Sequence, residues 1–401
     1  MAHDTFRIKL PIQDLVKQIL DALPDHIWSN PCATFLDPAM AGGQFILEIE
    51  RRLKAAGHSN ENIASRVWGC EQSLIRVKYV QNWHKAISTQ LYVRDALAYD
   101  WGDMKFDVIV GNPPYQSPNK GDSSLWARFV LKSCQMLQPD GWNAMVIPCG
   151  WMSPTNDIRQ GRQSILRDVF ANQNTTLINV NPHLGPTYFP GVGQRFSYYV
   201  TQNCSPAGVT KIQTGTQDLD VNLQTLPMLP LQLNALSMSI LAKISNSPTK
   251  WDFLRVNKCD YSQVVFDNAT KTHKYSRLNG NTNHLDKIVF SKDPCEYQNV
   301  RKVVLPYNGT QYKFVVDNGK VGVTNCYLMV LGKKDLITSA KTYFESPLMS
   351  WLGKNKFTQY NEAALIECVG TMDLTKKICL QDIWNHYNLS QEEIDYLLNH
   401  G

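Results

Sequence analysis

The run Asp107-Val-Ile-Val-Gly-Asn112-Pro113-Pro114-Tyr115 constrains this chain more than any other stretch. Val108 to Val110 form an apolar run of the kind found in strands buried on both faces of a parallel sheet. The strand stops at Gly111, and Asn112-Pro-Pro-Tyr leaves its carboxyl end. Ligands of open α/β sheets bind outside the carboxyl ends of the strands. Each proline fixes φ and removes an N–H. What projects is therefore an amide side chain, carbonyls without competing donors, and one aromatic ring. The Asn112 oxygen and the Pro113 carbonyl can hold both hydrogens of an exocyclic amino group, and Tyr115 can stack on the flat ring that carries it. The plain alternative is a strand followed by a proline-rich turn, with Tyr115 in a core.

With 401 residues, 43% of them apolar, the chain is long enough for two globular domains. There is no N-terminal apolar segment and no run long enough to span a membrane, so the expectation is a cytoplasmic protein. The ten cysteines are scattered without a Cys-x-x-Cys pair, and the nine histidines lack metal-ligand spacing. Neither a metal site nor a disulfide framework is signalled.

Ile12, Leu15, Val16, Ile19, Leu20 and Leu23 recur at helical spacing, which predicts a helix within 6–28 entered through Pro11. Thr34 to Asp37 is a short strand, followed by the turn Pro38-Ala39-Met-Ala41-Gly42-Gly43 and a helix that starts near Phe45. Glycines let a ligand approach the backbone, and a helix start adds positive dipole. No Lys-Ser/Thr pair follows, which argues against a nucleoside triphosphate loop. Val67 to Glu71 is a second strand ending in an acid, suited to two ribose hydroxyls. Leu91 to Ala96 is a third, with Asp95 at its end as an acceptor for an adenine amino group. Four successive strands thus end in Asp37, Glu71, Asp95 and Asn112, which predicts one shared pocket. The alternation continues through a helix from Leu125 to Leu137, a fifth strand Asn143 to Pro148, a helix Ile158 to Phe170, and strands Thr176 to Val180 and Phe196 to Gln202. This is the pattern of a doubly wound, Rossmann-like, mostly parallel sheet of seven strands whose last two can pair antiparallel.

The ordered set Asp37-Pro-Ala-x-x-Gly-Gly-x-Phe45, Glu71, Asp95 and Asn112-Pro-Pro-Tyr115 resembles the S-adenosylmethionine-dependent DNA N6-adenine methyltransferases of the gamma arrangement, the TaqI-like modification enzymes. The resemblance covers about residues 6–203. It implies a catalytic domain over 1–204 and a mixed α+β target-recognition domain over 205–401. It implies a cofactor set of Pro11, Asp37, Ala39, Ala41, Gly42, Gly43, Phe45, Glu71, Asp95, Ala96 and Asn112. Asp37 and the Ala41–Gly43 turn would meet the methionine part of S-adenosyl-L-methionine, Glu71 the ribose, and Asp95 the adenine. Asn112, Pro113, Pro114 and Tyr115 would hold an adenine flipped out of double-stranded DNA, with Phe196 favoured over Phe189 as a second aromatic. Methyl transfer would then be a direct in-line displacement onto N6. A separately encoded restriction endonuclease is the companion such enzymes have; a monomer and a dimer both fit. The family usually has Gly where this chain has Ala41, so a positive φ there would be strained.

Residues 206–377 carry 21 Lys and Arg against 14 Asp and Glu, a larger positive excess than the +5 of the whole chain. Lys271, Lys274, Arg277, Lys354 and Lys356, interleaved with Tyr275 and Phe357, are the candidate DNA-binding cations. Residues 378–401 hold no Lys or Arg and are expected to face away from DNA. Asp317-Asn318-Gly319 predicts a hairpin, and Ser390-Gln-Glu-Glu393 a capping box. Two other readings stay open: methylation of another amino or amide nitrogen, in RNA or protein glutamine, and a non-catalytic DNA-binding protein on the same fold. Pro148-Cys149 has the look of a nucleophilic cysteine, but it ends a different strand, and a buried thiol is expected there.

Overall fold

The computed structural model describes residues 10–116, 125–152, 165, 169–256, 264–266, 268–279, 288–306, 314–355 and 369–401. The chain forms two compact units, one of residues 1–151 and 163–224, the other of residues 152–162 and 225–401.

The first unit is built on a nine-stranded sheet in the order β3-β2-β1-β4-β5-β7-β6-β8-β9. Its strands are β1 Phe35–Asp37, β2 Val67–Glu71, β3 Gln90–Val93, β4 Phe106–Gly111, β5 Leu137–Pro148, β6 Asn174–Asn179, β7 Phe196–Gln202, β8 Thr210–Gln213 and β9 Asp218–Val221. The first five pair in parallel. β7 lies antiparallel between β5 and β6, which bears out the antiparallel pairing expected of the last two strands. The count of seven is corrected to nine. β8 runs parallel to β6, β9 turns back along β8, and the Thr210 hydroxyl donates to the Thr175 carbonyl at 2.8 Å. A bare β6 edge would leave its backbone groups unpaired. The sheet therefore runs past the expected domain boundary at 204, and the first unit ends at 224.

The helix Leu10–Asp21 falls within the expected span, with Pro11 in its first turn. Leu15, Val16, Ile19, Leu20 and Leu23 are buried, as their spacing requires. They join Ile46, Ile49 and Leu53 of helix Gln44–Ala55 and the inner sides of β1, β2 and β4 in one core. Each such side chain contributes about 1.5–3 kcal/mol by leaving water. Two carboxylates fix the frame. Asp107 accepts the Thr34 amide and hydroxyl, both at 2.8 Å, tying the approach to β1 onto β4. Buried Glu50 accepts the amides of Ile87 and Ser88 at 3.0 and 2.8 Å, setting the entry to β3. The chain leaves β1 for β2 and β3 on one side and returns to β4 on the other. Strand order therefore reverses between β1 and β4, where an open sheet leaves a crevice at its carboxyl edge.

The second unit has two four-stranded sheets and several helices, the mixed α+β character expected. One sheet, in the order β10-β17-β14-β15, comprises β10 Leu254–Val256, β14 Arg301–Pro306, β15 Val315–Asn318 and β17 Cys326–Val330. The other, in the order β11-β13-β12-β16, comprises β11 Val264–Phe266, β12 Tyr275–Leu278, β13 Ile288–Ser291 and β16 Gly322–Val323. The Asp317-Asn318-Gly319 hairpin is corrected. β15 pairs with β14, and the chain after the turn joins the other sheet beside β12. The Asp317 carboxylate accepts the amides of Gly319 and Lys320, each at 3.1 Å, and receives the buried Lys302 ammonium at 2.5 Å. The turn is thus pinned to β14 rather than to a returning strand. The Ser390–Glu393 capping box forms as expected. The expected helix 158–170 lies mostly outside the described residues. Among the described residues no helix is long and apolar enough to cross a membrane, and no group of three or more His, Cys, Asp or Glu is placed to hold a metal ion.

Candidate active site

At the carboxyl edge of β1 to β4 lies a cavity of about 530 Å³. The parallel register puts the strand ends level: Asp37 lies beside Gly69, and Glu71 beside Val93. Of the expected site residues, Ala39, Ala41, Glu71, Asp95, Ala96, Asn112 and Pro114 line the cavity. Gly42, Gly43, Phe45 and Pro113 do not, and Phe45 is a core residue at 4% exposure. The side chain of Pro11 lies outside the described residues.

Asp37 lies below the cavity wall rather than in it. Its side chain is 2% exposed, and its Oδ1 accepts the Ala39 amide at 3.0 Å. Burial, with the Glu71 charge adding to it, pushes its pKa up to about 7, against the partly offsetting amide bond. Gly111 packs close to it: a β-carbon there would stand 3.0 Å from Asp37 Oδ1, so one of the two would have to give by a few tenths of an ångström. The turn that follows puts Ala41 at φ 46° and Gly43 at φ 81°. The residue that departs from the family pattern is therefore left-handed, a conformation that costs an alanine about 1–2 kcal/mol.

Glu71 Oε1 accepts the Ser73 amide at 2.9 Å, and its Oε2 lies 3.5 Å from the Arg76 guanidinium. Asp95 is exposed and accepts the Leu97 amide at 2.9 Å. Sequence reasoning missed the arginines of this wall, Arg76, Arg94 and Arg128. The Arg94 guanidinium lies 4.2 Å from the centre of the Tyr92 ring and 3.9 Å from that of Tyr99, and these rings fix it. Arg76 follows Glu71 by five residues, one turn into the next helix, and Arg94 directly precedes Asp95. Adjacency to the strand-end acids was the signal available.

Asn112 is half-buried at the cavity edge. Its Oδ1 accepts the Tyr115 hydroxyl at 2.5 Å. The acceptor expected to take a substrate amino hydrogen is thus held by the neighbouring tyrosine. Tyr115 is partly buried, and desolvation raises its hydroxyl pKa. Its ring centroid lies 5.1 Å from that of Phe196, which lies 4.5 Å from that of Phe189. Phe196, the ring favoured as the second stacking aromatic, thus lies against Tyr115. Phe196 is 2% exposed and opens β7, paired with Pro148, so it has no free face. Phe189, at the start of the same loop, is half-buried. Cys149 is 2% exposed, and burial pushes its thiol up to about 12, which removes it as a nucleophile.

In the second unit, Lys271 and Lys274 are exposed, the latter with its ammonium 5.3 Å from the Tyr275 ring centre. Arg277 donates to the Asp293 carbonyl at 2.9 Å and is half-buried, so part of its guanidinium is already engaged. Lys354 donates to the Gly401 carbonyl at 2.6 Å. The side chain is exposed, with that one bond to the C-terminal helix end. Lys356 lies outside the described residues.

Residues 45–179 match the family model described as Eco57I restriction-modification methylase. A protein of Mycoplasma pneumoniae named as an uncharacterized adenine-specific methylase is 43% identical over 65 residues, 15% of each chain. The modification methylase CviBIII of Paramecium bursaria Chlorella virus NC1A is 27% identical over 144 residues, 33% of this chain and 35% of that one. The matches thus span about a third or less of these relatives' lengths. The solved structure of the Type IIL restriction-modification enzyme MmeI in complex with DNA aligns over 88% of this chain and 64% of its own, at 11% identity and a TM-score of 0.48.

Proposed function

Residues 45–179 being kin to the restriction-modification adenine methylases, we propose that the chain methylates N6 of adenine in double-stranded DNA with S-adenosyl-L-methionine as donor. The observation that carries this reading is the meeting of Glu71, Asp95 and Asn112 on one cavity. The donor set fits the cofactor: two carboxylates suit ribose hydroxyls and an adenine amino group, and the Ala39–Ala41 backbone leaves room beside them. When bound, S-adenosyl-L-methionine supplies an electrophilic methyl group on a sulfonium.

The chain's own residues do the rest. Asn112 Oδ1 and the Pro113 carbonyl accept the two N6 hydrogens of an extruded adenine. Holding both hydrogens favours a pyramidal nitrogen and turns its lone pair toward the cavity. Tyr115 and Phe189 offer ring faces to the base, and stacking offsets part of the cost of extrusion. The rigid prolines keep the acceptors aimed without reorganisation as charge develops at N6. Lys271 and Lys274 remain candidates for phosphate contacts.

The test is transfer of tritiated methyl to genomic DNA, followed by nucleoside chromatography. Label in N6-methyladenine is expected. Asn112→Ala should cut the rate by about 10²–10³-fold, the usual loss for one preorganised hydrogen-bonding group, and lower calorimetric cofactor affinity by much less than that. Label in another nucleoside, or none in DNA when RNA and protein supplied in parallel assays take it up, would overturn the reading.

A further inference from the structure

The segment Pro190-Gly191-Val192-Gly193-Gln194-Arg195 is exposed at all six positions, between Phe189 and buried Phe196. Its ends are held. The Phe189 amide donates to the Gly185 carbonyl at 2.8 Å, and the Arg195 carbonyl accepts the Cys149 amide at 3.1 Å. Its tip stands clear: a β-carbon at Gly191 or at Gly193 would have no atom within 4 Å. Gly191 needs glycine for its φ of +85°. Gly193 has neither a positive φ nor a close neighbour, so nothing in the free chain requires glycine there. With no side chain at Gly193 and open space around both glycines, another molecule can come close to this backbone. Between the two glycines stands Val192, 49% exposed. Arg195 is exposed and forms no ion pair among the described residues. The loop therefore presents an apolar tip on a backbone open to close approach, with a cation at its base.

Its position identifies the partner. Both ends of the loop carry rings of the cluster against the catalytic tetrapeptide, since Phe196 touches Tyr115 and Phe189 touches Phe196. Extruding a base leaves a gap in the stack, and apolar side chains inserted between base steps occupy such gaps. We propose that the 190–195 loop is a DNA-penetrating element: Val192 enters the duplex beside the target base, Gly191 and Gly193 let the strand pass close, and Arg195 holds a flanking phosphate. The proposal rests on the reading of the cavity as a DNA methyltransferase site.

The test begins with DNA methylated by the wild-type protein, in which single-molecule sequencing reports the motif. A duplex of about 25 base pairs with that motif is then made in two forms, fully paired and with an abasic site opposite the target. Val192→Gly should lower kcat/KM on the paired duplex by about tenfold, and by less than about twofold on the abasic one, where no stack has to be opened. The fluorescence of 2-aminopurine at the target position should fall in parallel on the paired duplex. Arg195→Gln should weaken binding to both duplexes and reduce the logarithmic salt slope by about one. Melting temperature and calorimetric cofactor affinity should not move in either variant. Equal losses on both duplexes, or none, would overturn the wedge. An unchanged salt slope would overturn the phosphate contact. Absence of any methyl transfer to DNA by the wild type would sink the underlying reading instead.

Discussion

Among the described residues each unit buries one aspartate, and the two are handled in opposite ways. Asp317 in the second unit sits at 7% exposure against the Lys302 ammonium, which also donates to the carbonyls of Tyr297, Val300 and Val321. Every bond of that cation is spent inside the fold. Asp37 in the first unit sits at 2% exposure with one amide bond, no cation and a second acid, Glu71, nearby. A satisfied buried charge holds a turn in place, whereas a buried acid left short of partners has its charged form disfavoured.

The largest effect should come from breaking the satisfied pair. Lys302→Met leaves the Asp317 carboxylate buried and uncompensated, and should cost about 3–5 kcal/mol. Urea unfolding followed by tryptophan fluorescence would measure it. A cost below about 1 kcal/mol would mean that the site admits water and that the contrast with Asp37 is unreal.

Asp37 should show in a pH profile. An acid whose pKa is 3.8 unfolded and about 7 folded binds more protons when folded. The Asp37 contribution to the stability of the cofactor-free protein therefore falls as pH rises from 3.8 to about 7, and its loss is complete above that window. Asp37→Asn should remove the slope and leave the variant more stable above pH 7 by up to about 4 kcal/mol. Denaturant midpoints at several pH values would decide it, and parallel profiles for the two proteins would remove Asp37 as an uncompensated acid.

Backbone strain gives a smaller effect. Ala41→Gly relieves the left-handed alanine but frees the unfolded chain, for a net gain of about 0.5–1 kcal/mol in the melting of cofactor-free protein. Destabilisation would mean that the Ala41 methyl packs well enough to outweigh its φ. A change of similar size is expected from Tyr115→Phe. It keeps the ring and removes the hydroxyl that holds Asn112 Oδ1, a bond worth about 0.5–1.5 kcal/mol net. The KM for DNA should fall about 2- to 10-fold, by the same bond, with kcat maintained. A collapse of kcat would make the hydroxyl a participant in the chemistry rather than a placeholder.

The first unit was more legible than the second because its signals are local. Apolar runs bounded by Gly and Pro mark the strands, and the acids and amide that matter stand at their ends. β8 and β9 escaped notice because Thr210–Gln213 and Asp218–Val221 are short and polar, and they become strands by covering the edge of β6. In the second unit, the sequence around Asp317 fits a two-strand hairpin equally well. The choice against it is made by Lys302, fifteen residues away.

The order of the strand ends, the acids on them and the rigid Asn-Pro-Pro-Tyr loop were determined by the sequence alone, since periodicity and proline geometry act within a few residues. Tertiary structure decided which of those groups is reachable. It put Asp37 beneath the cavity and Glu71 in its wall, buried Phe196 while leaving Phe189 half-open, and set the Tyr115 hydroxyl on Asn112. Burial and hydrogen bonding depend on atoms that are distant in the chain and adjacent in space, as with Asp37 and Gly111. The composition of a strand end does not encode that distance; the packing of the sheet does.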